Sequence, residues 1–553
     1  MSAPPEIDSA ASEQIVVESK GLESDALGMF ASVSVGMAST APAYSLAATL
    51  GFVVAVVGLQ TPLLVILAFI PMFLSAWATK QMNAADPDCG TSFTWAARAL
   101  GPKLGWFAGG WGTIAADLLA MASYSQVAAQ YVFLLIGAKS IGNDATSVWV
   151  LLLGIGWIVV LTWLCWRGIK ISAQIQITLV VVEVIILLVM AIVALIKVAN
   201  GSAPPGHIDP TWSWFDPLKF GSFDSFMQGM LLMVFIYWGW DTTTSINEET
   251  DEPGRIPGSA GVYSTFLLLG TYILVVVAVQ AFAGIGTHGI GLGNPAHIND
   301  VLSTLGASIF GSSTVGSILS HLLLFMVLTS AAATTQTTIL PNARTTLSMA
   351  FHKALPAIFG RIHPRYKTPS FSTISFGVIS IIYYVALNFV SGGAVIADAV
   401  DATVFFAALY LGITAIACFW HYRMFVVGGF GRAVSYVWVP LAGGVALFVL
   451  LAYSFKVYWD PNQSYFTITV FGITIGGTLV VVVLATIAGL LWMLWSMRTQ
   501  AVYFSGESMR LGLSITDDDQ VVRIDPDGAE HGGLGHEDQP PPDPTASSPR
   551  RRL

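Results

Sequence analysis

A polar stretch interrupts an apolar segment between Trp238 and Ser245. Two Trp residues, a Gly, an Asp, three Thr and a Ser follow the apolar residues 231–237. In a membrane interior every backbone amide and carbonyl needs a partner, so a helix is broken only where its freed groups are buried in protein or line a wet cavity. Secondary transporters build midplane sites from paired broken helices. The interruption therefore predicts a site for a small polar ligand at membrane depth.

A second break is predicted in the first apolar segment, at Pro42. Proline has no amide proton and a fixed φ, so it ends a helix before it or begins a new one. We expect one half-helix from Leu27 to about Ala38 and a second from Pro42 onward. The gap would leave free amides between Ser39 and Ala43 at the positive end of the second half-helix, where a carboxylate is favoured. A packing helix kinked by proline is the alternative.

The elements that would position these breaks are membrane helices. The chain has 553 residues, of which 54% are hydrophobic and only 10% charged, which is far more apolar than one soluble core requires. We predict an all-α integral membrane protein with twelve transmembrane helices, because apolar runs of about 20 residues can cross a bilayer. The predicted spans are residues 27–57, 61–79, 105–136, 147–166, 171–196, 223–247, 262–285, 313–339, 372–390, 394–420, 437–458 and 466–495.

The breaks fall in spans 1 and 6, which predicts a five-plus-five inverted repeat followed by two C-terminal helices. Residues 26–497 form the predicted transporter domain. Residues 1–25 are predicted to be a cytoplasmic N-terminal tail, and the polar, Pro-rich residues 498–553 a disordered cytoplasmic tail. Lys and Arg concentrate in loops that face inward if the N-terminus is cytoplasmic. We therefore expect a multi-pass protein of the inner (plasma) membrane.

The break in the sixth span also carries a family motif. The stretch resembles the aromatic-Gly-Phe-Asp, Glu-Glu, Asn-Pro and Ile-Pro pattern of the amino acid/polyamine/organocation (APC) superfamily, and it is most similar to the cationic amino acid transporter branch. A cytoplasmic segment after the eighth span is similar too, and the resemblance covers about residues 27–423. The matching residues are Gly239, Trp240, Asp241, Glu248, Glu249, Pro253, Ile256, Pro257 and Pro341 to Arg344.

The resemblance implies roles for residues at the sixth-span break. It places contacts to the substrate's amino group on the backbone carbonyls of Phe235, Ile236 and Trp238. Gly239 marks the break, and Trp240 is the implied aromatic lid over the substrate. A carbonyl at the end of a half-helix suits an ammonium group, so the physical expectation and the resemblance agree.

The first-span break departs from the family pattern. Gly36 matches the first Gly of the usual Gly-x-Gly, but Thr40-Ala41-Pro42 stands where the second Gly is expected. Pro42 removes one backbone donor from the carboxylate site, and nearby hydroxyls can compensate. The predicted contacts at this break are Ser39, Thr40, Ala41 and Ala43.

Three of the carboxyl groups within the predicted spans are candidates for a specific role. Glu183 is the only charge deep in the fifth span, where a charge costs at least about 2.5 kcal/mol on insertion scales. By the resemblance it stands where some members carry a Lys that replaces sodium, so we predict that it binds a proton with the substrate; a neutral Glu bonded to a neighbouring helix is the alternative. Asp117 is a second candidate for proton coupling. Asp241 is predicted to cap the second half of helix six by accepting from the Thr243 or Thr244 amide.

The leading hypothesis is a secondary transporter that imports an amino acid by proton symport with alternating access. The alternatives are a polyamine or simple amine permease or exchanger of the same fold, or a non-transporting sensor. No H-E-x-x-H, G-x-S-x-G or glycine-rich phosphate motif lies where an enzyme would need it. The expected partners are a small amino acid or amine, protons and the lipid bilayer. No cofactor, metal ion or nucleic acid is expected.

Overall fold

The computed structural model describes residues 20–390, 393–427, 429–509, 513–515, 521–524 and 530–531. Helices dominate this part of the chain. They are α1 (Met29–Thr40), α2 (Pro42–Val57), α3 (Thr61–Ala85), α4 (Ser92–Leu100), α5 (Pro102–Leu104), α6 (Gly112–Leu135), α7 (Lys139–Gly142), α8 (Val148–Arg167), α9 (Ile169–Ala199), α10 (Phe223–Tyr237), α11 (Thr242–Ser245), α12 (Ile256–Ala283), α13 (Val301–Phe310), α14 (Thr314–Phe351), α15 (Ser370–Phe389), α16 (Val395–His421), α17 (Phe430–Ala433), α18 (Val439–Tyr458), α19 (Gly477–Thr499) and α20 (Ala501–Phe504).

Five short strands accompany the helices. Strand β1 (Thr467–Val470) pairs antiparallel with β2 (Ile473–Gly476) just before α19. This hairpin occupies the beginning of the last predicted span, so the expectation of a helix from residue 466 is wrong there. Strands β3 (Leu513–Ile515), β4 (Val521–Ile524) and β5 (Glu530–His531) form a second antiparallel sheet.

Ten segments of the described chain are long and apolar enough to cross a membrane. The first of them, Met29–Ala85, contains α1, α2 and α3 in succession. The pair α10 and α11 is not among the ten, because α10 ends after 15 residues. The chain is therefore a multi-pass helical membrane protein, as predicted.

Helix α1 ends at the expected break. Ala41 adopts a left-handed conformation with φ of 46°, and α2 begins at Pro42. The first half-helix extends two residues beyond the predicted end, to Thr40. Gly36 was expected at the break but lies inside α1. It is a packing residue, because a Cβ there would come within 2.6 Å of the Ser264 hydroxyl oxygen.

The second break follows Tyr237, the last residue of α10. Gly239 has φ of +118°, a conformation that side-chain-bearing residues rarely adopt, so glycine lets the chain leave helical geometry here. The short helix α11 begins at Thr242. Three helices surround the first half-helix, because α1 packs against α9, α12 and α14.

The C-terminal tail was predicted to begin at residue 498, but the folded bundle extends further than that. Tyr503 in α20 is fully buried, donates a hydrogen bond to the Pro102 carbonyl at 2.8 Å and stacks on Phe93 with 5.4 Å between ring centroids. Residues 498–509 therefore belong to the folded bundle. The remainder of the predicted tail, apart from β3 to β5, lies outside the described residues.

The N-terminal boundary of the folded bundle also lies earlier in the chain than predicted. Most of the predicted tail, residues 1–19, lies outside the described residues, but residues 20–27 pack on the bundle. The amides of Ala26 and Leu27 donate to the Glu249 carbonyl at 2.9 and 3.1 Å, and Leu27 forms a parallel β-bridge with Thr250. The segment before α1 is thus held against the chain that follows α11.

We expect Tyr503→Ala to destabilise the bundle by about 3–5 kcal/mol, as for other large aromatic side chains removed from a core. Thermal unfolding of the purified protein in detergent measures this loss. Val502→Ala is the matched control, because Val502 is 42% exposed on the same short helix. Equal melting temperatures for both variants and the wild type would mean that α20 is not part of the folded unit.

Candidate functional site

The two helix breaks touch each other in the centre of the bundle. The hydroxyl oxygens of Ser39 and Thr242 are 2.8 Å apart. A Cβ at Gly239 would lie 2.5 Å from the Ser39 carbonyl oxygen, so only glycine allows this approach. The breaks in α1–α2 and α10–α11 therefore lie against each other, and their use as one substrate site stays a prediction.

The first turn of α2 is fully bonded to protein groups. The Ala43 amide donates to Glu183 Oε1 at 2.7 Å, and the Tyr44 amide donates to Ser330 Oγ at 3.3 Å. The Ser45 amide donates a hydrogen bond to the Ala41 carbonyl at 2.8 Å. The amides that were expected to be free for a substrate carboxylate are thus already occupied.

The hydroxyls that were expected to replace the missing glycine are also engaged. Ser39 pairs with Thr242, and the Thr40 hydroxyl donates to the Met37 carbonyl at 2.8 Å. The Ala41 amide donates to the Ala38 carbonyl at 3.2 Å. The structure places all of these residues at the break. Their contact with a substrate stays a prediction.

Glu183 reaches the break from α9. Its side chain is buried, and Oε1 accepts from the Ala43 amide and from the Ser330 hydroxyl, the latter at 2.8 Å. Its second oxygen, Oε2, accepts no hydrogen bond from the described residues. The sequence places this carboxyl in an apolar span, and the fold places it at the positive end of a half-helix.

Two of the three carbonyls predicted to bind an amino group already accept hydrogen bonds. The Phe235 carbonyl accepts from the Trp238 amide at 3.0 Å, and the Ile236 carbonyl accepts from the Tyr272 hydroxyl at 2.7 Å. Trp238 lies just beyond α10 in an extended conformation. A substrate ammonium at Ile236 would share or replace the bond from Tyr272.

The two tryptophans at the break differ from the expected arrangement. Trp240 is fully buried against α12, where a Cβ at Gly261 would come within 3.2 Å of its ring. Its indole nitrogen has no hydrogen-bond partner in the described part of the chain. Trp238 instead donates its indole hydrogen to the Tyr410 hydroxyl at 2.6 Å. Trp240 thus packs within the bundle, and its role as a lid stays a prediction.

Asp241 does not cap α11 with its side chain, which corrects the predicted role. Its carboxylate accepts from the Tyr410 hydroxyl at 2.8 Å, because α16 brings that tyrosine to the break. Asp117, on α6, accepts from the Asn342 amide nitrogen at 2.6 Å. One oxygen of each carboxyl thus accepts a hydrogen bond from a neutral donor.

Sequence reasoning missed Tyr272 and Tyr410, whose hydroxyls bind the sixth-span break. Both lie in apolar spans and are nearly or fully buried. A buried Tyr hydroxyl usually has a hydrogen-bond partner, so a tyrosine in the middle of a span was the available signal. Nothing in the local sequence indicates which break each tyrosine would contact.

A buried ionic cluster lies at one end of the bundle. Lys20, whose side chain is 2% exposed, binds the carboxylates of Asp88 and Glu248, with Nζ 3.0 Å from Asp88 Oδ2. Asp88 also accepts from His352 Nε2 at 2.9 Å and from Ser348 Oγ at 2.6 Å. Burial alone would raise the pKa of Asp88, but the Lys20 ammonium and then His352 hold it well below its usual range.

A second buried ion pair lies beside this cluster. Arg344 Nε and Nη2 donate to the two oxygens of Glu249 at 2.8 and 2.9 Å, and both side chains are fully buried. Arg344 comes from α14, whereas Glu249 follows α11. The bidentate geometry fixes the end of the sixth-span break against α14.

The Cys89 thiol lies among the same groups. It is within 4.8 Å of ligand oxygens from Asp88 and Glu248, a grouping that could hold a metal ion. Both carboxylates are already bound by Lys20, so the cation of this cluster is an ammonium group. Burial, and then the Glu248 carboxylate, raise the pKa of Cys89 well above its usual range.

Two helix breaks that meet inside a multi-pass bundle are an arrangement typical of secondary transporters. Residues 27–479 match the family model described as amino acid permease. The chain belongs to this family. The resemblance to the APC superfamily is thereby confirmed, whereas membership of the cationic amino acid transporter branch stays a prediction.

Several curated proteins are similar over part of their length. The branched-chain amino acid permease of Bacillus subtilis is 24% identical over 230 residues, which cover 40% of this chain and 43% of the relative. The methylthioribose transporter of the same organism is 24% identical over 332 residues, 57% of this chain and 65% of the relative. A polyamine transporter of Oryza sativa is 26% identical over 230 residues, which cover 40% of this chain and 39% of the relative. The chain thus spans less than two thirds of each.

We expect Lys20→Met to expose Cys89. Removing one partner of a buried ion pair costs about 3–5 kcal/mol, which is enough to favour opening of this end of the bundle. The rate of Cys89 labelling by a thiol reagent should rise at least tenfold, as measured by mass spectrometry of the intact protein.

Lys170→Met is the matched control, because Lys170 pairs with Glu23 while its side chain is 60% exposed. Cys165 and Cys418 are buried elsewhere and should label no faster. Unchanged Cys89 labelling in a folded Lys20→Met protein would contradict a closing role for Lys20.

Proposed function

We propose that this protein is a secondary active transporter that moves a small amine-bearing solute, an amino acid or a related amine, by alternating access. The observation that carries the proposal is the direct contact between the two helix breaks, with Gly239 against the Ser39 carbonyl. Broken helices at membrane depth are retained where they bind substrate or ions. Family membership and relatives named as amino acid and polyamine carriers support this class of solute.

The proposal includes the finer architecture expected from the sequence. The chain would have twelve spans arranged as a five-plus-five inverted repeat followed by two further helices, with both termini in the cytoplasm and the protein in the inner (plasma) membrane. The Lys20 cluster and the Arg344–Glu249 pair would then close the cytoplasmic side. Opening that side requires both sets of bonds to break, which suits a gate that alternates with an outer one.

Proton coupling through Glu183 is part of the same proposal. Glu183 is a buried carboxyl whose Oε2 has no partner in the described chain, and a membrane-buried ionisable group of this kind is usually functional. A proton on Oε2 would neutralise the group during one part of the cycle. Symport is the mode expected from the sequence, and the direction of proton movement distinguishes it from exchange.

Gly239→Ala should reduce uptake at least tenfold. The added Cβ would lie 2.5 Å from the Ser39 carbonyl oxygen, at a φ that alanine rarely adopts, so the breaks would separate. Uptake of a radiolabelled substrate into proteoliposomes measures the loss. Gly270→Ala in α12 is the matched control, because its Cβ would meet nothing within 4 Å. Normal uptake by a folded Gly239→Ala protein would contradict a substrate site at the contact between the two breaks.

Glu183→Gln should uncouple transport from protons. Gln matches Glu in shape and still accepts from the Ala43 amide, but it cannot carry a proton as a carboxyl does. At saturating substrate the variant should exchange solute without the lumenal pH change that accompanies wild-type transport, as recorded with a trapped pH dye. Asp117→Asn is the comparison variant. A persistent pH change in Glu183→Gln that is lost in Asp117→Asn would move the coupling role to Asp117.

A further inference from the structure

The position that a substrate carboxylate would occupy is filled by the protein itself. The donors at the start of α2 would cradle such a group, yet the Ala43 amide and the Ser330 hydroxyl both bind Glu183 Oε1, at 2.7 and 2.8 Å. Pro42 contributes no amide, and the Tyr44 amide is held by Ser330. A second carboxylate from a solute would find no free donor in this turn.

One carboxyl oxygen of Glu183 has no hydrogen-bond partner in the described residues. Oε2 is buried and accepts no hydrogen bond within the described residues, whereas Oε1 accepts two. A buried acceptor without a partner is costly, and more so when it is charged. A donor that arrives from outside the chain would satisfy Oε2.

The groups close to Glu183 favour a cationic donor. Tyr272 lies within electrostatic reach of Glu183, interacts with Thr40 and donates to the Ile236 carbonyl. Tyr272 thus lies near both breaks, and its hydroxyl binds the carbonyl end of the second. An ammonium group placed there would meet oxygens from both breaks. A solute carboxylate would instead meet the like charge of Glu183.

We infer that the transported solute is a positively charged amine without an α-carboxylate, and that Glu183 supplies the carboxylate that an amino acid would carry. The inference rests on the proposed transport function and narrows its substrate class. The solute's ammonium group binds Glu183 Oε2 beside the carbonyl end of α10. Glu183 is then a specificity-determining residue, and because a proton on Oε2 would compete with the ammonium group, coupling through this oxygen would be proton exchange rather than symport.

The test compares amines with the amino acids from which they differ only by the carboxylate. The pairs are isobutylamine and valine, putrescine and ornithine, and cadaverine and lysine. Binding to the purified full-length protein is measured by titration calorimetry, with thermal unfolding as a second readout. At least one amine should bind the wild type at least tenfold more tightly than its matched amino acid. Tighter binding of the amino acid in every pair that binds would overturn the inference.

Glu183→Ala and Glu183→Gln extend the test. In Glu183→Ala the Ala43 amide and the Ser330 hydroxyl become free for a solute carboxylate, so the preference should reverse toward the amino acid. In Glu183→Gln amine binding should weaken at least tenfold, while binding of the amino acid should not weaken. An unchanged preference in both folded variants would show that Glu183 does not determine the substrate class.

Failure of the inference is distinguishable from failure of the proposed function. Tighter binding and uptake of amino acids would leave a transporter with an ordinary carboxylate site, so only the inference would fall. Absence of binding and of uptake for both members of every pair, with a folded wild-type protein, would overturn the amine-bearing solute and the inference together.

Discussion

The structure depends on the need of backbone groups at membrane depth for hydrogen-bond partners. Two helices are broken in the middle of the bundle, and each break frees amides and carbonyls that lipid cannot satisfy. Neighbouring helices supply the partners: Glu183 from α9, Ser330 from α14 and Tyr272 from α12. The site is therefore assembled from side chains distant in sequence, which converge because the breaks have unmet bonds.

The same requirement underlies the proposed preference for amines. A helix N-terminus in an apolar setting attracts an anion, and in this protein the anion is Glu183. Once the protein provides it, the remaining unmet group is the second carboxylate oxygen, and the local charge favours a cation. The relatives include both amino acid and polyamine carriers, and the proposed role of Glu183 would let one intramembrane carboxyl separate those substrate classes.

The ionic cluster at one end of the bundle depends on a different requirement, the pairing of buried charges. Lys20, Asp88 and Glu248 are stable inside protein only as a group, since each charge left alone would be costly. They come from the N-terminal segment, from the loop after α3 and from the end of the sixth-span break. Closing that end thus joins three segments in one cooperative contact. A change in any one of them affects the others.

The sequence alone determined the membrane class, the two breaks and most residues that line them. Pro42 and Gly239 have backbone constraints that act locally, so their effect could be predicted without knowing their neighbours. It did not determine which partners satisfy the freed groups. Those bonds join residues more than one hundred positions apart, as Ala43 and Glu183 are.

Tertiary structure therefore decided that Gly36 packs inside α1, that Asp241 binds Tyr410 and that Lys20 and Tyr503 belong to the fold rather than to its tails. Local composition made these two segments look like tails, because each is continuous with a long polar stretch at one end of the chain. Only the packing of distant helices offers the carboxylates that bind Lys20 and the aromatic surface that receives Tyr503.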